Sequence, residues 1–177
     1  MMEERLSELP EGRPPAAAAG NSLIDSLQLS LASGEAHTSL GVVLDDLPWD
    51  RTGIDIPGFP HTAFSIVWHM GACMRSVISR VQSDTHREPT YPNGFWPAHT
   101  SPLAKSEWLI AAEEALRCQA TMRRWIETRD LLSPVRSSRH RLLLHELLLA
   151  TQHNAYHIGQ LVAYRALIGL PVVESWG

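Results

Sequence analysis

Cysteine is scarce in this chain. Only Cys73 and Cys118 are present, and neither belongs to a Cys-x-x-Cys pair. This offers no disulfide framework and fits buried thiols in an intracellular protein. Basic clusters are also missing: the net charge is −4 and no block of Lys and Arg occurs, so the electrostatic footprint of a nucleic-acid-binding protein is absent. No uninterrupted apolar run reaches the roughly 20 residues of a membrane span. Residues 1–20 carry Glu3, Glu4, Glu8 and Glu11 where a secretory signal would need an apolar segment. There is no GxGxxG or GK[S/T] phosphate loop, no alternating strand pattern of useful length and no internal repeat. These absences set the expectation of a soluble, cytoplasmic protein with no nucleic-acid or membrane partner.

Histidine, by contrast, is abundant, with nine in 177 residues, which points to metal or proton chemistry. The length fits one domain with a sizeable core. Residues 1–20, rich in Glu, Pro and Ala, read as a flexible tail, leaving 21–177 as a single domain. Asn21 or Ser22 is placed to cap a short helix carrying Leu23, Ile24, Leu27 and Leu31, interrupted at Ser33-Gly34. A helix over 35–47 follows, with His37, Leu40, Val43, Leu44 and Leu47 on one face, and Pro48 ends it. Residues 50–60 form a loop. A long helix over 61–83 carries Phe64, Val67, Trp68, Met74 and Val77, with His69 among them. The aromatic, proline-rich stretch 89–102 is a long connection, either a lid over the end of the helices or a partner surface. Further helices are expected over 103–129 and 139–168, the last stopped by Gly169 and Pro171. The sum is an all-α chain, a four-helix bundle able to build a metal site between facing helices.

The last helix holds the central motif, His153-Asn154-Ala155-Tyr156-His157-Ile158-Gly159-Gln160. Residues four apart lie about 40° from each other around a helix, one turn apart. Both imidazoles can therefore reach one metal ion from one element. A pair at this spacing also occurs at surfaces or as hydrogen-bonded core histidines. The general base of the HExxH metalloprotease pattern is missing, because Asn154 stands there. Glu146 and Gln160 fall on the same stripe, seven residues before and after His153. Each is a candidate to orient a ligand imidazole through its second nitrogen, or simply a hydrogen-bonding residue between helices. A metal site needs a third ligand, and His69 on the facing helix supplies one, giving three nitrogen ligands with an open position. His37, at nearly the level of His69, is a candidate fourth contact to metal or substrate. His99 and Trp96 are read as structural.

The pattern His153-x-x-x-His157-x-Gly159-Gln160, with Trp68-His69 on an earlier helix, resembles the DinB/YfiT-like superfamily over about residues 34–170. The loop Tyr91-Pro92-Asn93-Gly94-Phe95-Trp96-Pro97 and Trp108 resemble one uncharacterised branch of it. The resemblance implies a four-helix bundle with a divalent-metal site formed by His69, His153 and His157. The metal is zinc or nickel, with iron or manganese as alternatives. Characterised relatives include thiol transferases and a thiol-dependent isomerase, and homodimers are common. The function expected is a metal-dependent thiol S-transferase or hydrolase acting on a small molecule, with a low-molecular-weight thiol as co-substrate in the first case. The alternatives are a non-catalytic metal-binding stress-response protein and a homodimeric interaction module.

Overall fold

Leucine, alanine and valine at helical spacing give this chain five α-helices and one small hairpin in a computed structural model that describes residues 16–32 and 36–171. Helix α1 spans Ala16–Ala32, α2 Leu40–Leu44, α3 Ala63–Gln82, α4 Lys105–Thr128 and α5 Leu143–Leu167. Strands β1 (Pro134–Val135) and β2 (Ser138–Leu142) pair antiparallel between α4 and α5. Both α1 and α3 pack against α4 and α5. The core between them holds Leu27 and Leu31 of α1, Phe64, Met70 and Met74 of α3, Trp108 and Met122 of α4, and Leu147, Ile158 and Leu161 of α5. Among the described residues no helix is long and apolar enough to cross a membrane.

Helices α3, α4 and α5 lie inside the expected ranges, and local chemistry sets their ends. Thr62 caps α3: its Oγ1 accepts from the Ser65 amide at 3.2 Å. Gly169, at φ 76°, closes α5, with the Leu170 amide bonded back to the Arg165 carbonyl. The expected cap at Asn21 or Ser22 does not hold, because α1 already runs from Ala16 through both. That places Ala16–Gly20 in a helix rather than in the tail. The rest of the tail, the Ser33-Gly34 break and the Glu35 start fall outside the described residues.

Two expectations are corrected. The helix expected over 35–47 is one short turn, Leu40–Leu44. Ser39 caps its start through Oγ, and Asp46 at φ 53° breaks it before Leu47. Asp tolerates that left-handed conformation better than most residues. Arg165 then clamps the end of α2: its Nη1 donates to the carbonyls of Val43 and Asp45, and its Nη2 to Asp46. The second correction is the hairpin. Residues 139–142 belong to β2, and α5 begins only at Leu143. The first amides of α5 are satisfied from the preceding loop, Leu143 by the Ser133 carbonyl and Leu144 by the Leu131 carbonyl. Val135 is buried, and the Ser137 amide donates to the Arg80 carbonyl at the end of α3.

Candidate metal centre

Helices α3 and α5 pack face to face, so His69 of α3 comes to lie against two successive turns of α5. The Nε2 atom of His153 is 3.2 Å from Nε2 of His69 and 3.2 Å from Nε2 of His157. The outer nitrogens decide what this convergence means. Nδ1 of His69 lies 2.8 Å from the Phe95 carbonyl oxygen, and Nδ1 of His157 lies 2.7 Å from Oε1 of Gln160. An oxygen that only accepts requires the proton on the facing nitrogen. In the neutral rings, Nε2 of His69 and of His157 therefore carry lone pairs. Nε2 of His153 can supply at most one proton, so at least one of the two approaches sets lone pair against lone pair. A cation between the three nitrogens removes that repulsion. A tetrahedral zinc site, with bonds near 2.0–2.1 Å, separates its nitrogen ligands by about 3.3 Å, close to the two spacings measured from His153.

The electrostatics keep the rings neutral. Burial lowers the pKa of His153 to about 4, helped by neighbouring His69. Burial also lowers His157 to about 4, reinforced by His153. His69 is shifted down by burial as well, which outweighs its bond to the Phe95 carbonyl. Uncharged imidazole is the form that binds metal.

A second ligand set overlaps the first. Ligand atoms of His69, Cys73 and His153 lie within 4.8 Å of one another and could hold a metal ion. The Cys73 sulfur is 3.6 Å from both ring nitrogens of His69. Equal distances to Nδ1 and Nε2 put it over the ring face, off the Nε2 lone-pair axis. Burial also pushes this thiol up to about 11, so without a metal it is protonated. Cys73 and His157 are thus alternative third partners to His69 and His153.

The three nitrogens open into a cleft of about 400 Å³, lined also by Pro60, His61, Tyr91, Trp96, Tyr156 and Gln160. Trp96 stacks on the His69 ring with centroids 3.9 Å apart and planes 2° from parallel. Trp96 also stacks with His61 at 4.0 Å and meets His157 edge-on at 6.5 Å. The proline-rich loop thus folds over α3, where the Phe95 carbonyl fixes the His69 tautomer and Trp96 fixes the ring plane. Gln160 also donates from Nε2 to the Tyr156 hydroxyl at 3.2 Å, which leaves the phenol proton of Tyr156 free for a molecule in the cleft.

Two expected neighbours of the imidazoles lie elsewhere. Glu146 is fully buried, but its oxygens accept from Arg80 Nη1 at 2.6 Å and Arg141 Nε at 2.5 Å. Seven residues is about 10 Å along a helix axis, too far for its carboxylate to orient His153. His37 bonds to the Thr38 carbonyl and lines a separate surface pocket with Thr151, Gln152 and Ala155. Ala155 is about 200° around α5 from His153, so His37 sits behind that helix. His99 pairs with Glu107 and stacks on Phe64, outside the cleft lining.

Sequence reasoning missed His61, the Phe95 carbonyl and the packing role of Trp96. The only signal for them was the length and aromatic content of the loop that follows the His69 helix. No protein-family model and no curated protein matches this chain, so its function is read from the site.

Proposed function

We propose that this protein is a divalent-metal enzyme of the DinB/YfiT-like type. In this reading α1, α3, α4 and α5 form the four-helix bundle, and His69, His153 and His157 hold a zinc or nickel ion. The reaction is thiol transfer or hydrolysis on a small molecule. The observation that carries the reading is that Nε2 of His153 lies 3.2 Å from Nε2 of both His69 and His157, in the lining of an open cleft. The ring that donates to a carbonyl oxygen through Nδ1 is a common arrangement for a metal-binding histidine, and Phe95 and Gln160 supply such oxygens here.

When bound, the ion supplies Lewis acidity for activating a thiol or a water. The chain does the rest. Trp96, His61 and Tyr91 line the cleft and give it an aromatic wall that suits an apolar substrate. Tyr156 presents its hydroxyl proton at the edge, held there by Gln160. Burial lowers the pKa of His61, which favours the neutral ring in the cleft wall. The room beside the nitrogens favours catalysis over storage, because a storage site fills its coordination positions with protein ligands.

The test is a screen of the zinc- or nickel-loaded protein with low-molecular-weight thiols and an aryl-halide or epoxide electrophile, alongside simple esters and amides. The expected result is turnover that disappears on chelation and returns with metal. If no thiol alters either turnover or thermal stability, the transferase assignment falls. If the esters and amides are also untouched, the hydrolase assignment falls with it.

A further inference from the structure

His69 and His153 have two candidate third ligands, and these stand on different sides of His153. His157 lines the open cleft, whereas Cys73 lines the adjoining cavity, and His153 lines both. Donor atoms of His69, Cys73 and His153 lie within 4.8 Å of one another. Nε2 of His69 is 3.2 Å from Nε2 of His153 and 3.6 Å from the Cys73 sulfur. Bonds of about 2.0 Å to nitrogen and about 2.3 Å to sulfur set such a nitrogen and sulfur roughly 3.6 Å apart on one ion.

Charge separates the ions that suit the two sides. Beside Cys73 the lining is largely apolar, with Met74, Val77, Phe95, Leu149 and Ala150. The charged side chains there, Arg80 and Glu88, are paired with each other. An uncompensated charge in such surroundings is costly. One thiolate and two neutral imidazoles carry a single negative charge. A monovalent ion makes the set neutral, whereas a divalent ion leaves it positive. Thiolate also selects cuprous copper by its softness, and two imidazoles with one thiolate are a trigonal copper set. On the cleft side, which is open to solvent, water or an anion offsets a divalent ion instead.

We infer that His69, Cys73 and His153 form a site for one monovalent copper ion, alternative to the three-histidine set for zinc or nickel. The sulfur lies over the face of the His69 ring, and a single rotation about the Cys73 side-chain torsion carries it to the ion. Binding breaks the S–H bond of Cys73 and forms an S–Cu bond. The proton leaves to solvent, and no electron is transferred. Both sets use His69 and His153, so one chain holds one ion or the other. The copper set omits His157 and does not depend on the reaction proposed above.

The test uses full-length, metal-free, reduced protein under nitrogen. Cuprous ion is titrated in competition with a chromophoric cuprous chelator. One ion per chain is expected, with a sulfur-to-copper charge-transfer absorption in the ultraviolet difference spectrum. Cys73→Ser should weaken copper by at least about 100-fold and abolish that absorption, with its circular dichroism unchanged. Cys118→Ser, at the other thiol of the chain, should keep both. His157→Ala should keep copper too, the opposite of its expected effect on zinc. No copper in the wild type, or equal copper affinity in the wild type and Cys73→Ser, overturns the site. Loss of copper in folded His157→Ala assigns the ion to the three histidines and overturns it as well. If the wild type binds copper in this way but neither zinc nor nickel, the enzyme reading falls and the copper site stands.

Discussion

Replacing His157 with alanine is expected to weaken zinc binding by more than about 100-fold, whereas replacing Cys73 with alanine changes it by less than about threefold. A competition titration against a chromophoric chelator reads both. The estimate starts from the 10- to 100-fold loss typical when a residue that merely supports a ligand is removed; removing the ligand itself costs more. The pair of variants separates two overlapping sets that share His69 and His153. His157 directs its Nε2 at that of His153 at 3.2 Å, with its own proton committed to Gln160. Cys73 lies over the face of His69. Should Cys73→Ala lose the metal and His157→Ala keep it, the ligands are His69, Cys73 and His153.

The second large effect concerns stability. Arg80→Met is expected to cost about 2–3 kcal/mol, because the buried Glu146 carboxylate loses one of its two charged partners and keeps only Arg141. The Glu146 side chain is fully buried, and Arg80 at 2.6 Å is its better-shielded partner; the side chain of Arg141, the other partner, is 38% exposed. Urea denaturation measures the loss. The double variant Arg80→Met, Glu146→Met is expected to recover most of it, because well-packed apolar groups often replace a buried ion pair without penalty. Arg136→Met should leave stability unchanged, since Arg136 and Asp84 are exposed and 3.9 Å apart. If the double variant is no more stable than Arg80→Met alone, the loss comes from packing and not from the stranded carboxylate. This ion pair also matters for the site. It locks α3 to the start of α5, and those two helices carry His69, His153 and His157.

The motif on α5 was legible because its period is local. The His153 and His157 spacing needs only the helix repeat, and the leucines around it guarantee burial of the helix. The apolar stripes of α3, α4 and α5 likewise fixed those helices to within a few residues at each end. What the stripe could not give was height. Glu146 shares an angular position with His153 but lies two turns away, level with Arg80 in an antiparallel neighbour. A stripe says which face a residue occupies, and only the packed partner says what stands opposite it. The hairpin was invisible for another reason. Ser137-Ser138-Arg139-His140-Arg141 has no alternation, and its pairing depends on Val135 reaching the core and on the Arg80 carbonyl. His37 was misplaced because α2 is so short. The chain is extended at Ser39 instead of carrying His37 around a helix toward the cleft. Trp96 and the Phe95 carbonyl lie 26 or more residues from His69 in the chain, and a backbone carbonyl leaves no mark in the sequence at all.

The most direct test of the central claim is the metal content per chain of the wild type and of His69→Ala, both purified without a metal-binding tag. His69 belongs to both possible ligand sets, and in the three-histidine set it is the ligand from α3. The account predicts about one divalent ion in the wild type and almost none in the variant, with both proteins folded. Equal metal content in the two, or none in either after incubation with zinc and nickel, would contradict a site shared between α3 and α5.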